Sequence, residues 1–315
     1  MKGHGALRLG VVLPQAEIDT TDPLVVGDFA VRMEQAGFDH LLAFEHVLGA
    51  DSTKRPGWEG YYNHESPFLE PFALFSYLGA VTSLELVTEV LVLPQRQTAL
   101  VAKQAATVDI LVGGKLRLGV GIGWNEVEYD ALGVRFRTRA RKMEEQIPLL
   151  RRLWTEQSVT HNGEFDTIDR AGIAPLPVQR PIPLWIGCGD APSALERVGR
   201  LADGWIPHPA LGDGARITAA LPVVRAAAER AGRDPDSLGL QGQVRYREHA
   251  SDAGVASLLR WKEHGATHVS LSTLENGLAW PDGHIESALW CLEEWGSALG
   301  QHNAEVPDVA TGPVA

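Results

Sequence analysis

The 315-residue sequence predicts an α/β fold, a (β/α)8 TIM barrel with insertions after the second and fourth strands. Three observations point there. Apolar β-rich runs alternate with helix-period segments along almost the whole chain, the alternation gives eight strand–helix pairs, and the length exceeds by a little the roughly 250 residues typical of such a barrel. A doubly wound parallel sheet is the alternative reading of the same alternation.

Leu7–Leu13 reads as the first strand. Its helix is Leu24–Ala36, with Val25, Val26, Phe29, Ala30 and Met33 at helical spacing and Gly37 closing it. The second strand, Phe38–Phe44, ends at Glu45-His46, and a long polar and aromatic stretch precedes a helix starting near Pro71. Leu84–Leu93 and Leu116–Gly121 are the next strands, separated by helix Ala99–Val112, which stops before Gly113-Gly114. A fourth helix covers Arg139–Trp154, and a Pro-rich connection, Ala174–Pro183, leads into strand Leu184–Gly187. Helix Ala191–Leu201, strand Gly204–Ile206 and helix Ala215–Ala231 follow; Leu238–Tyr246, Ala253–His264, His268–Thr273 and His284–Leu299 complete the series. Residues 1–299 form one barrel domain in this reading, and 300–315 a flexible tail. The extra length sits in Val47–Leu69 and Gln157–Ile182, where insertions are expected to act as lids over the C-terminal face.

Composition narrows the function. Lys+Arg 28 against Asp+Glu 40 gives a net charge of −12, so nucleic acid and anionic lipid are repelled and a small-molecule partner is expected. No apolar run approaches the roughly 20 residues of a membrane span, and the N-terminus lacks the pattern of a signal peptide, which predicts a cytoplasmic protein. Two cysteines, Cys188 and Cys291, make no disulfide framework and show no zinc spacing. Lys2, Lys54, Lys103, Lys115, Lys142 and Lys262 all miss the predicted strand ends, which disfavours Schiff-base and pyridoxal phosphate chemistry. No metal cluster and no Gly-x-Ser-x-Gly elbow is visible. Chemistry carried by an organic cofactor fits this shortage.

In a barrel, polar residues at the carboxyl ends of strands are the first catalytic candidates. Glu45-His46 is such a pair: a histidine can exchange protons near neutral pH, and a carboxylate beside it can fix its tautomer. Adjacent strand residues point to opposite faces, so only one of the two faces the mouth unless the strand has ended. A solvated strand end is the alternative. Gly119, Gly121 and Gly123 alternate at the end of the fourth strand, beside Ile122 and Trp124; they allow something flat to lie on bare backbone, or else serve close strand packing. The spacing fails the dinucleotide fingerprint. Gly187-Cys188-Gly189-Asp190 precedes a helix with Pro192 in its first turn, where free backbone N–H groups can hold a phosphate; Asp190 can equally cap the helix. Cys188 has no partner at motif spacing and reads as a small neutral residue. Trp58, Tyr61, Tyr62 and Phe68, with His64 and Glu65 among them, are candidates for a lid over an apolar substrate.

The segments Val90-Leu91-Val92-Leu93-Pro94, Ala102–Asp109, Gly113-Gly114-Lys115 and Gly119–Trp124 resemble the luciferase-like monooxygenase superfamily, and more narrowly its coenzyme F420-dependent branch of actinobacterial type. The resemblance extends through Glu45-His46, Leu150–Trp154, Pro183–Gly187, Ala202–Trp205 and Thr267–Leu271, nearly the whole chain. It implies a barrel binding F420 or a flavin at the C-terminal mouth and transferring a hydride between the deazaflavin C5 and an organic substrate. It also implies that His46 faces the ring, with Glu45 supporting it, and that Glu89-Val90 forms a cis peptide backing the ring. Gly121, Ile122, Gly123 and Trp124 would border the ring; Gly187, Cys188, Gly189, Gly204 and Trp205 would approach the phosphate. A homodimer is a further implication. Trp124 stands where sugar-phosphate dehydrogenases of the family carry glutamate, which argues against that substrate class. Ile122 stands where bacterial luciferase carries an arginine near the FMN phosphate, which argues against FMN. The alternatives are an FMNH2-dependent monooxygenase and a non-catalytic flavin-binding protein.

Overall fold

Along the chain, the computed structural model describes residues 6–19, 22, 24–55, 58, 60, 62–247 and 251–300. The first strands are β1 (Arg8–Val12), β2 (His40–Ala43), β3 (Glu85–Thr88), β4 (Leu91–Val92) and β5 (Leu116–Gly121). A hairpin of β6 (Val159–Asn162) and β7 (Thr167–Ala171) comes next, followed by β8 (Leu184–Cys188), β9 (Gly204–Pro207), β10 (Gly239–Arg245) and β11 (His268–Ser272). Apart from the hairpin, all pair in parallel in one sheet. β3 and β4 both pair with β5 and are two segments of one interrupted strand, and β11 returns to β1. Eight strands therefore close a barrel, as predicted.

The helices are α1 (Leu24–Ala36), α2 (Pro71–Leu78), α3 (Thr98–Leu111), α4 (Glu126–Ala131), α5 (Arg139–Thr155), α6 (Pro192–Leu201), α7 (Ala215–Arg230), α8 (Ser251–Glu263) and α9 (Asp282–Leu299). All but the short α4 are the barrel's crossover helices. Strand residues facing outward, among them Leu9, Val11, Leu41, Leu86, Leu118 and Val120, pack with the helices into the main core. None of the described helices is long and apolar enough to cross a membrane.

The barrel interior is partly polar. At its N-terminal end the Arg117 guanidinium lies 4.3 Å over the Trp185 ring, donates to Gln241 at 2.9 Å and pairs with Glu85 at 3.3 Å. The His40 and His268 rings meet edge-on at 5.3 Å. Burial, then the charge of Arg117, drives His268 down to about 2 and His40 well below its usual value, so both are neutral. Above this polar layer, Val12, Leu42 and Val87 form a small apolar plug.

Two features depart from the expectations. The third strand, expected to run unbroken over Leu84–Leu93, breaks at Glu89-Val90, although the cis peptide there is the one the resemblance implies. The second insertion does not cover the mouth: Glu145 of α5 accepts backbone N–H groups of Glu164 and Asp166 at 2.8 and 2.9 Å, and Thr98 at the start of α3 donates to Asp166 at 2.6 Å. The β6–β7 hairpin follows a helix rather than a strand end, and so is fastened outside the barrel to α3 and α5. The expected tail lies, apart from Gly300, outside the described residues.

Candidate active site

Glu45 and His46 lie two and three residues beyond the end of β2, where strand alternation no longer applies, and they part company through their separate partners. Glu45 is 3% exposed and accepts from Arg96 Nε at 2.7 Å and from the Val92 backbone N–H. Arg96 also reaches Glu70 at 2.8 Å. Burial pushes the Glu45 carboxyl up, against the opposing pull of Arg96. Glu45 is thus a clasp between the ends of β2 and β4, and its expected support of His46 is not what the geometry provides.

His46 instead turns toward Glu128, on α4. Its Nδ1 lies 3.5 Å from Glu128 Oε1. Its ring sits 3.6 Å from that of Tyr62, centroid to centroid, and meets Phe68 edge-on at 4.8 Å. Glu128 was not a candidate from sequence. It is placed by α4, whose N-terminus Asn125 caps by accepting the Val127 N–H at 3.0 Å. Glu128 Oε1 accepts the Val47 N–H at 3.0 Å, the Leu48 N–H at 3.4 Å and the Tyr62 hydroxyl at 3.1 Å. Its Oε2 accepts from Gln95 at 3.1 Å. Burial alone would raise this carboxyl, but His46 and Gln95 outweigh it and hold it below the usual carboxylate range.

The first insertion does reach the mouth. Tyr62 is buried, with its hydroxyl accepting from Asn125 at 2.7 Å. Trp58 donates to the Tyr62 carbonyl at 3.3 Å and lies 5.4 Å from the ring of Trp124, which is 41% exposed. Four predicted residues, Trp58, Tyr62, Phe68 and Trp124, thereby join His46 in one aromatic cover. His64 is on the solvent side, and Tyr61 lies outside the described residues.

The glycines at the strand ends are not bare. A Cβ on Gly121 would come within 2.5 Å of Val90 Cγ2, and one on Gly187 within 2.5 Å of Val90 Cγ1. The two glycines make room for the Val90 side chain, which forms the floor of the mouth. Gly123, at φ +62°, is closed in by Val92 in the same way, and Ile122 is half-buried beside it. Glu89 turns into the barrel below this floor. Its Oε1 is 3.4 Å from Gln243 Nε2, its Oε2 has no hydrogen-bond partner among the described residues, and burial pushes its carboxyl up to about 8.

The far side of the mouth is open. A Cβ on Gly189 would meet nothing within 4 Å. Burial pushes the Cys188 thiol up to about 12, so it is neutral. Asp190 is engaged by Arg216 through two contacts of 2.8 Å. Gly204 and Trp205 are not at the mouth. They open β9 rather than end it: the Trp185 ring covers Gly204, and Trp205, 1% exposed, packs in the helix-facing core, with its Nε1 donating to the Cys188 carbonyl at 3.4 Å. Among the described residues no three His, Cys, Asp or Glu side chains gather as a metal site.

Comparison with known proteins adds three findings. The sequence profile of the luciferase-like monooxygenase family matches residues 9–265. An uncharacterised protein of Mycobacterium tuberculosis is 44% identical over 142 residues, 44% of this chain and 48% of that protein, so the chain spans about half the length of this curated relative. An F420-dependent glucose-6-phosphate dehydrogenase of Nakamurella multipartita is 30% identical over 231 residues, 71% of this chain and 63% of that protein. Among solved structures, an F420-dependent secondary alcohol dehydrogenase in complex with an F420–acetone adduct superposes with TM-score 0.73 at 17% identity, covering 93% of this chain and 99% of that one. A monooxygenase from Streptomyces bottropensis gives TM-score 0.73 at 17% identity over 95% of this chain and 100% of its own. These two likenesses establish the fold.

Proposed function

We propose, from the premise that the chain belongs to the luciferase-like monooxygenase family, that it is an F420-dependent oxidoreductase acting on a small organic molecule. The observation that carries the cofactor assignment is the identity with the F420-dependent dehydrogenase across 71% of the chain. Two features support a flat ring at the mouth: Val90 offers an apolar floor over Gly121 and Gly187, and Gly189 leaves open space beside it. Val90, Gly121, Ile122, Gly123 and Trp124 would hold the ring, and Gly187, Cys188 and Gly189 the phosphate side. Bound there, coenzyme F420 supplies a carbon that accepts or returns a hydride. The chain's residues orient the partners and handle the proton. His46 exchanges a proton with the substrate or donates a hydrogen bond to its oxygen, while Glu45 keeps the ends of β2 and β4 together. Trp58, Tyr62, Phe68 and Trp124 cover an apolar substrate, and Trp124 supplies no carboxylate for a sugar phosphate.

Equilibrium titration of the purified protein with F420 and, separately, with FMN tests the cofactor. Tight F420 binding with much weaker FMN binding is the expected result. The reverse preference overturns it in favour of an FMNH2-dependent monooxygenase, and binding of neither removes the hydride-transfer reading. His46→Ala should keep F420 affinity and lower turnover by about a hundredfold or more; unchanged turnover removes His46 from the chemistry.

A further inference from the structure

We infer that Glu128 is the positioning residue of this site: its charge favours the Nδ1–H tautomer of the His46 imidazole, so that Nε2 carries the lone pair used for proton exchange, and it ties that arrangement to the aromatic cover through Tyr62. The role assigned to Nε2 rests on the proposed oxidoreductase activity; the tautomer does not.

His46 Nδ1 is buried, makes no hydrogen bond among the described residues, and lies 3.5 Å from Glu128 Oε1, close enough for the carboxylate's charge to act on it. An ionised carboxylate can only accept, so a proton on Nδ1 is favoured there and the lone pair falls to Nε2. Rotation of the ring is opposed on two sides, by Tyr62 at 3.6 Å and Phe68 at 4.8 Å. Glu128 itself is 1% exposed and fixed by donors from separate segments: Val47 and Leu48 after β2, Tyr62 in the insertion and Gln95 before α3. A carboxylate so fully supplied with donors stays charged despite its burial and cannot swing away. Glu45, adjacent in sequence to His46, is engaged by Arg96 and the Val92 N–H and is not available for this task. When His46 takes up a proton, the imidazolium already faces a fixed negative charge. Because the Tyr62 hydroxyl donates to the carboxylate oxygen that His46 Nδ1 approaches, and the Tyr62 ring stacks on His46, displacing the cover also disturbs the histidine.

The full chain without cofactor, labelled with ¹⁵N in its histidines, provides the first test. At alkaline pH the His46 ring should show the Nδ1–H tautomer; an Nε2–H tautomer overturns the inference whether or not the protein binds F420. The second test is a double-mutant cycle with F420 and a turned-over substrate. Glu128→Gln keeps the shape and removes the charge. It should lower kcat by about tenfold or more, as loss of a histidine's orienting partner commonly does, with little change in F420 affinity. In the His46→Ala background the same substitution should have no further effect on kcat. An equal loss in both backgrounds would mean that Glu128 acts only on stability or elsewhere in the site, and would overturn the inference. Absence of any F420-dependent turnover would count against the proposed activity, while the tautomer would still decide the Glu128–His46 relation.

Discussion

Around one half of the barrel mouth, the ends of β2 and β4 and the helix α4 bury two carboxylates, Glu45 and Glu128, at 3% and 1% exposure. Around the other half, at the ends of β8 and β9, the ion pair Asp190–Arg216 stands in solvent with side chains 37% and 53% exposed, next to a glycine whose Cβ position is empty. The two halves solve different problems. A buried charge loses hydration and is tolerated only with a complete set of partners, so each such carboxylate fixes the geometry of everything that donates to it. An exposed pair gives up little water and fixes little. The first half therefore has the rigidity that a proton-handling group needs, and the second the unobstructed backbone that a bulky polar ligand needs.

The comparison makes ordered predictions. Arg96→Ala would strip Glu45 of its cation and should cost about 3–5 kcal/mol of stability, read as a large fall in thermal midpoint. If it cost no more than an exposed pair, the contrast between the halves would collapse. Glu89, beneath the floor between them, sets a pH dependence. Its folded value, about 8, lies above the ordinary 4.5, so its contribution is complete below about 4.5 and is lost as pH rises through 8. His40 and His268 act in the opposite sense. Their folded values are depressed, so their contribution is present above 6.5 and is lost as pH falls toward acid. Thermal midpoints across pH should fall on both sides, and Glu89→Gln should flatten the alkaline side alone; an unchanged alkaline fall would mean that Glu89 is already ionised. Tyr62→Phe, which removes one donor from Glu128, should cost about 1–2 kcal/mol in urea denaturation and leave the fold intact. Arg216→Ala in the open half should stay within about 1 kcal/mol by the same measurement.

Much of the barrel is legible in the sequence because each crossover unit carries its own local signals. Helix Leu24–Ala36 with its closing Gly37 has the boundaries its spacing implies, and Leu116–Gly121 is a strand as read. The site is legible where it follows from a strand end. Glu45-His46 stands out, but the strand ends at Ala43, so the separation of its two members comes from Arg96 and Glu128 rather than from strand alternation. What escapes is set by contacts distant in sequence. Glu128 lies in a six-residue helix with no motif around it, and its importance comes from donors up to 81 residues away. Gly204 and Trp205 sit at the start of β9, a height their motif does not disclose, and of the two only the Trp205 indole reaches the end of β8, at Cys188. The β6–β7 hairpin is short and largely exposed, so its alternation is too weak to register as strands. Arg117, a cation within the apolar run Leu116–Gly121, is a visible sign in the sequence of the polar layer at the barrel's N-terminal end.

The floor of the mouth has one more consequence. Val90, Gly121 and Gly187 come from three different strands yet occupy a single shared volume, since either glycine's missing side chain is where a Val90 methyl sits. Size at these three positions is one variable rather than three. A methyl gained at one of them has to be given up at another, so substitutions here should be tolerated in compensating pairs and rejected singly, a coupling invisible to any reading that takes the chain one strand at a time.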